Sequence, residues 1–249
     1  MPKILVIGEI CADKFIYCDI KRLSPEAPVP ILNPIRTTKN PGMAGNTLAN
    51  IKALIPDSYT MSIGQVEAIT KTRYVEQKTN HMFLRVDEGE GKITPFEWSL
   101  DIDVLIGKAD IVIVSDYNKG FLTNADLKEI ARKSTLSILD SKRKLTDDII
   151  KDFTFVKLNE SERINNPQIT LDNVIITLGK YGAQHQGVEY PSSNPQDTID
   201  VSGAGDTFVA SFIAKYYQTK DTRLAIKFAN QMSAEVVSKR GVVTPEKNL

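Results

Sequence analysis

From Asp200 to Phe208 the chain reads D-V-S-G-A-G-D-T-F, a glycine-rich turn closed by an acid. An amphipathic run starts at once, with Phe208, Val209, Phe212, Ile213 and Tyr216 at helical spacing, so the turn feeds a helix. Gly203 and Gly205, on either side of Ala204, permit backbone angles and close approaches that a side chain blocks, and their N–H groups can converge on an anion. The start of the helix adds unpaired donors and partial positive charge. That charge favours the carboxylate form of Asp206, the form able to accept a proton. An anion cradle beside a general base is the minimum equipment for moving a phosphoryl group onto a hydroxyl. Taken alone, G-A-G-D reads equally well as an N-capping acid behind a turn.

The elements that must hold this turn in place follow from periodicity. Lys3 to Ile7 is a buried strand closed by Gly8, and Ile111 to Val114, Leu136 to Leu139, Phe153 to Leu158 and Val174 to Leu178 are of the same apolar type,. Helical spacing runs from Ala44 to Ile55, from Leu100 to Ala109 behind the cap Ser99, and from the T-N-A-D capping box at Thr123 to Lys133,. It recurs over Leu145 to Ile150 and from Asp221 to Lys239. Alternating strands and helices imply a mostly parallel sheet with helices on both faces, and ligands of such sheets sit at the carboxyl ends of the strands. Two stretches, 14–37 and 70–88, stand outside the alternation. Within them Lys14 to Ile20 and Val29 to Ile35 read as strands, and Thr70 to Gln77 with Met82 to Val86 as a hairpin,. They suit a small β-lid over the site. Tyr59 to Ile63 is a further short strand, and with no repeat or linker the 249 residues read as one domain,.

Composition removes several function classes. Lys and Arg total 31 and so do Asp and Glu, which leaves no broad field for nucleic acid or an anionic membrane and makes a small molecule the expected partner. Cys11 and Cys18 are the only cysteines, expected as reduced thiols of a cytoplasmic protein,. With His81 and His185 as the only histidines, zinc and Ser-His-Asp chemistry are not expected. No apolar run is long enough to span a bilayer,.

The longer strings specify more. D-V-S-G-A-G-D-T-F resembles the C-terminal signature of the ribokinase-like, or PfkB-type, carbohydrate kinases. In that family the acid is the base and the G-A-G backbone is the anion hole, roles the resemblance assigns to Asp206 and to Gly203, Ala204 and Gly205. R-L-S-P-E-A-P-V-P-I, from Arg22 to Ile31, is similar to one subgroup, the kinase half of the bifunctional enzyme that phosphorylates heptose 7-phosphate and then adenylylates the heptose. Gly8, Glu9, Asp13, Lys14 and Phe15 match the element preceding that string; Asp13 falls where a carboxylate grips sugar hydroxyls, and Glu9 stands where the family has Asp. P-G-M-A-G-N at Pro41 falls where the family has P-G-G-A-A-N, a tight turn opening a helix. Gly42 and Asn46 are therefore expected against the sugar, and Met43 replaces a glycine. By itself Asn46 also reads as a helix cap.

T-K-T-R and L-R-V-D match the heptose kinases and imply that Lys71, Arg73 and Arg85 bind a phosphate already on the sugar,. Without the resemblance they read as a solvated cationic strand face. S-D-Y-N-K-G matches S-D-Y-x-K-G and turns Asp116 and Lys119 toward the site, while D-S-K-R at Asp140 parallels D-P-K. Asn159, Glu160, Ser161 and Glu162 parallel the family's N-x-x-E, which organises Mg2+, largely through water, and the ATP phosphates,. T-L-G-K-Y-G implies Thr177, Gly179 and Gly182 on the nucleotide side, and K-R-G-V-V-T-P implies Gly241 near the base of ATP, with Asn230 on the preceding helix.

The resemblance thus implies a ribokinase-like α/β fold with a β-lid, ATP and Mg2+ as cofactors, and transfer of the γ-phosphoryl group to the anomeric hydroxyl of D-glycero-D-manno-heptose 7-phosphate. Against the family the chain is shortened between Ile55 and Thr70 and between Arg163 and Asn173, and a reduced kinase standing alone, without the adenylyltransferase half, is the expectation. Similar kinases cross their lids, which implies a homodimer through the β-lid. Two other readings stay open: a PfkB-type kinase for another sugar, sugar phosphate or nucleoside, and a binding relic without turnover. The intact Asp206 speaks against the relic.

Overall fold

Apolar runs that must be shielded from water on both faces set the frame. In the computed structural model, which describes residues 1–192, 203–239 and 243–246, the chain opens with β1 (Lys3–Gly8), β2 (Ile10–Asp19), β3 (Asn33–Met43), α1 (Ala44–Leu54), β4 (Tyr59–Ile63), β5 (Ile69–Glu76) and β6 (Met82–Glu88). There follow α2 (Leu100–Lys108), β7 (Ile111–Asp116), α3 (Asn124–Lys133), β8 (Ser137–Ser141), α4 (Asp147–Ile150), β9 (Phe155–Asn159), α5 (Glu160–Asn165) and β10 (Val174–Thr177). A hairpin of β11 (Ala183–His185) and β12 (Val188–Tyr190) precedes α6 (Ala204–Thr219) and α7 (Thr222–Val237).

Eight strands form the main sheet in the order β12-β11-β10-β9-β8-β7-β1-β4, parallel from β4 to β10 and antiparallel where β11 pairs with β10 and with β12. Alternate residues of one strand enter opposite cores, as period-two geometry requires. Ile4 and Val6 pack with Ile51 of α1, Phe212 of α6 and Ile226 of α7, whereas Leu5 and Ile7 pack with Ile106 of α2 and Leu127 and Ile130 of α3. Helices therefore cover both faces. β1 lies between β4 and β7, with helical layers on opposite sides, so the strand order reverses beside its carboxyl end, where a ligand crevice opens in such sheets,.

A second sheet, in the order β3-β2-β5-β6, stands over that crevice as the expected lid. The chain enters it one residue after β1, which leaves Glu9 fully buried at the junction and Asp13 inside β2. The strand expected over Val29 to Ile35 instead occupies Asn33–Met43. Pro34 and Pro41 are tolerated there because β3 is an edge strand, where a missing N–H breaks no ladder,. P-G-M-A-G-N is consequently the end of a strand and the first turns of α1 rather than a tight turn. Met43 joins them at φ 56, ψ −135, a region otherwise left to glycine, with its side chain buried against Cys11 and Ile69,. The β11–β12 hairpin and α5 were not expected; the hairpin's turn, Gln186-Gly187, has positive φ at both residues,.

The carboxyl ends of β7 and β8 are tied together by an ion pair. Arg143 donates from Nε to Asp116 Oδ2 at 2.6 Å and from Nη2 to Oδ1 at 2.8 Å, and it also donates to the Leu122 carbonyl at 2.8 Å. Asp116, expected to face the acceptor, is spent on this tie, its side chain 0% exposed. Arg143→Ala would strand that carboxylate without a counter-charge, which costs about 3–5 kcal/mol when a buried pair is broken. Equilibrium denaturation of the variant against wild type measures that loss; a change within experimental error would mean that the pair contributes nothing.

Candidate active site

Gly203 adopts φ 82, ψ −3, a left-handed conformation that brings the chain abruptly into α6 and that L side chains disfavour,. No side chain caps this helix start among the described residues, so its first N–H groups are free to face an anion. Asp206, in the first turn, is 6% exposed and receives three side-chain donors. Asn46 Nδ2 donates to Oδ2 at 2.8 Å, Thr47 Oγ1 to Oδ1 at 3.3 Å, and Tyr117 Oη to Oδ1 at 3.2 Å. Asn46 is therefore no helix cap: it lies inside α1 and faces Asp206. Burial pushes the Asp206 carboxyl from its ordinary 3.8 up to about 6, with Asp140 adding to the rise while Asn46, Lys157 and Tyr117 oppose it. A carboxyl at that value is ionised near neutrality and still basic enough to take a proton.

On one side of Asp206 a cavity of about 590 Å³ opens. It is lined by the predicted Gly203, Ala204, Gly205, Asn159, Glu160, Ser161, Thr177, Gly179, Gly182 and Asn230, and also by Tyr117, Asp140, Lys142 and Lys157. Gly241 and residues 200–202 lie outside the described residues. Lys157 is 2% exposed; its Nζ is 3.2 Å from Asp140 Oδ1 and 3.7 Å from Glu162 Oε2. A β-carbon placed on Gly205 would come within 3.3 Å of that Nζ, so the glycine brings the helix start up against the cation. Burial pushes the Asp140 carboxyl up, but Lys157 and Lys142 outweigh it and hold it below the usual range. Lys142 also pairs with Glu162. Burial alone would lower its pKa, but Asp140 and Glu162 more than compensate and keep it charged.

Asn159 and Glu162 form the reciprocal capping box of α5: Asn159 Oδ1 accepts from Glu162 N–H at 2.8 Å, and Glu162 Oε2 from Asn159 N–H at 2.7 Å. No group of three or more His, Cys, Asp or Glu side chains suited to a metal ion occurs among the described residues. Direct ligation by Asn159 and Glu162 does not fit these commitments. A hydrated cation held chiefly by nucleotide phosphates does.

On the other side lies the lid. Asp13 Oδ1 accepts from Arg73 Nη1 at 2.5 Å, and a β-carbon on Gly42 would fall 2.2 Å from Asp13 Oδ2, so the glycine lets β3 lie against that carboxylate without displacing it. Lys71 and Lys119 share Glu90, at 3.2 Å and 2.6 Å. Arg85, paired with Asp87, sits on the exposed edge strand β6, in register with Arg73. Each cation expected to bind an acceptor phosphate thus has an internal carboxylate partner. Glu9 accepts from Tyr117 N–H at 2.8 Å and Lys119 N–H at 2.8 Å, which explains an acid there without a substrate: it shapes the loop after β7.

Sequence reasoning missed Tyr117, Thr47, Glu90, Asp140, Lys142 and Lys157 as site residues. Lys157 carried a usable signal, a lone cation near the carboxyl end of the otherwise apolar run F-V-K-L. Tyr117 lay in a string already singled out for its neighbours.

The pattern of the pfkB family carbohydrate kinases matches residues 93–249. The chain belongs to that family and is a sugar kinase. It is 28% identical over 286 positions to the bifunctional protein HldE of Pseudomonas putida, covering 96% of this chain and 60% of that protein. To HldE of Helicobacter pylori it is 29% identical over 300 positions, covering 97% and 64%. The chain thus spans less than two thirds of these relatives, and alignments longer than its 249 residues mean that they carry segments it lacks. Arabidopsis thaliana ribokinase, solved with ribose and ATP, superposes with a TM-score of 0.70 at 15% identity, covering 98% of this chain and 96% of that one. Escherichia coli phosphofructokinase-2, solved with potassium, gives 0.73 at 13%, covering 99% and 96%. The fold is ribokinase-like.

Because Asp206 titrates higher folded than its ordinary 3.8, the folded chain binds more protons than the unfolded one between about pH 4 and 6, and stability falls as pH rises through that window. Asp206→Asn removes the effect. Its amide oxygen can still accept from Asn46, while its amide nitrogen faces Thr47 and Tyr117, whose hydroxyls must turn to accept from it,. Thermal melting should show the variant at least as stable as wild type at pH 8, with the advantage gone at pH 4. A lower melting temperature at pH 8 would contradict the burial of an ionised carboxylate.

Proposed function

We propose that this kinase transfers the γ-phosphoryl group of ATP to the anomeric hydroxyl of D-glycero-D-manno-heptose 7-phosphate in the cytoplasm. The observation that carries the transfer is the position of Asp206: a buried carboxylate, basic enough to take a proton, between a cavity with an uncapped helix start and a polar lid. The acceptor class is supported by the HldE relatives and by the Arg22 to Ile31 string.

In this reading Asp206 takes the acceptor proton as the oxygen attacks phosphorus. The N–H groups at Gly203 to Gly205 hold transferring negative charge, with Lys157 behind them and Lys142 on the cavity wall,. Bound with the nucleotide, Mg2+ would neutralise phosphate charge, reached by Asn159 and Glu162 through water. Asp13, Gly42 and Asn46 hold the sugar, and its phosphate takes Lys71 and Lys119 from Glu90, with Arg73 and Arg85 nearby. β3 and β6 are the two edges of the lid, and we propose that a second copy covers them; light scattering that finds a monomer at assay concentration would remove the dimer alone.

ADP release with ATP and a panel of sugars tests the reading. Heptose 7-phosphate should be used far better than ribose or fructose, and Arg73→Ala should raise the acceptor KM well above any change in the ATP KM. Equal use of an unphosphorylated sugar would refute the acceptor. Asp206→Asn should lose about 10²–10⁴ in kcat, the usual worth of a general base, while calorimetry shows ATP binding retained. An Asp206→Asn enzyme as fast as wild type would remove Asp206 as the base.

A further inference from the structure

Tyr117 touches both halves of the site. Its ring lines the cavity and packs against the lid-side cluster of Cys11, Met43 and Ile69. Lys71 Nζ is 5.9 Å and Lys142 Nζ 5.8 Å from the ring centre. Its hydroxyl rests on Asp206 Oδ1 at 3.2 Å. A hydroxyl donating to the base beside the start of α6 is what an acceptor must present there. Of the other donors to Asp206, Asn46 and Thr47 come from inside α1 and belong to the wall of the site. Tyr117 approaches from the open side.

The placement is built rather than incidental. The Tyr117 N–H is bound to Glu9 Oε2 at 2.8 Å, the Lys119 N–H holds the other oxygen of the same carboxylate at 2.8 Å, and Asp116 is fixed by Arg143. Between these anchors Asn118 takes φ 55. The backbone is thereby clamped, so any release of Asp206 by the phenol falls to the side chain.

We propose that Tyr117 is a specificity-determining residue that stands in for the acceptor hydroxyl, occupying the hydrogen-bonding position on Asp206 until a polyhydroxy acceptor replaces it and so withholding the base from water. The inference rests on the assignment of Asp206 as the base. The reaction suppressed is hydrolysis: water oxygen bonds to the γ-phosphorus, the bond to the β–γ bridging oxygen breaks, ADP leaves, and the water proton passes to Asp206. Tyr117 does not itself become the acceptor, because burial and then the Asp206 charge raise its ionisation well above the ordinary phenol range. It stays protonated, a donor to Asp206 and a poor nucleophile.

The test compares wild type, Tyr117→Phe and Tyr117→Ala for ADP release from ATP without acceptor and for transfer to heptose 7-phosphate. A hydrogen bond to a charged group is worth about a factor of ten or more. Acceptor-free hydrolysis should therefore rise about tenfold in Tyr117→Phe and further in Tyr117→Ala. In the Phe variant, which keeps the ring, the ratio of transfer to acceptor-free hydrolysis should fall about tenfold, because hydrolysis gains while transfer does not. Adding Asp206→Asn should abolish the extra hydrolysis. A purely structural tyrosine would lower hydrolysis and transfer together, and that result, or unchanged hydrolysis in both variants, overturns the proposal. So does extra hydrolysis that survives Asp206→Asn. Should wild type transfer to no sugar phosphate, the acceptor assignment falls while the hydrolysis comparison still decides Tyr117.

Discussion

A carboxylate removed from water at the start of a helix must be given donors, and Asp206 draws its donors from separate parts of the chain. Asn46 and Thr47 come from α1 and Tyr117 from the loop after β7. Satisfying that one group therefore fixes how α1 and α6 lie against each other and where the β7 loop ends. Thr207, the next residue, extends the contact by donating to Asn50 Oδ1 at 2.8 Å, and Asn50 donates back to the Asn46 carbonyl at 2.8 Å. The apolar cores supply most of the stability, but they are tolerant of small slides between helices. The polar seam from Asn46 to Thr207 is not, because a shift of an ångström strands a buried donor.

The cavity side is organised by charge balance. Asp140 and Glu162 face Lys142 and Lys157, two of each sign, with Lys157 almost wholly enclosed. Such a cluster is stable only while its members remain paired. A nucleotide's phosphates bring several negative charges beside it, and the side chains with freedom to answer are the more exposed ones, Lys142 first at 36%. Lys157 stays behind Gly205 as a fixed charge. A fixed cation costs no reorganisation when negative charge develops, which is the condition for effective electrostatic stabilisation.

What could be read from the sequence was what local rules encode. The turn into α6 announces itself through Gly203, Gly205 and Asp206, and the caps Ser99, Thr123 and Asp126 through spacing that the backbone itself imposes. Pairings between residues far apart in the chain were not legible. Arg73 finds Asp13 across 60 residues, and Lys119 finds Glu90 across 29; nothing in either neighbourhood says that these cations are already engaged. Asp116 and Glu9 are instructive for the same reason. Both are acids at the carboxyl end of a strand, where substrate contact is a sound expectation, yet one meets Arg143 and the other a row of backbone N–H groups. A strand end gives an acid its address, and only the fold decides what it meets there. β3 was expected over Val29 to Ile35 and occupies Asn33–Met43, a polar stretch whose strand character comes from pairing with β2 rather than from its own pattern.

Glu9 and Met43 are two of the places where the chain departs from the family strings, and they converge on one ring. Glu9 binds the backbone of Tyr117, and Met43 belongs to the apolar cluster against which that ring packs. Met43 holds its position at a backbone conformation that would suit glycine better,. Such strain persists only where the surroundings over-determine it, and here the burial of the thioether beside Cys11 and Ile69 offsets it. A glycine would let backbone approach an acceptor directly; a methionine withdraws that contact and fills the space with a side chain. In the proposed reading, selection of the acceptor passes from the main chain ahead of α1 to the side chains around Asp206, among which Tyr117 is held from behind by Glu9 and from the lid by Met43.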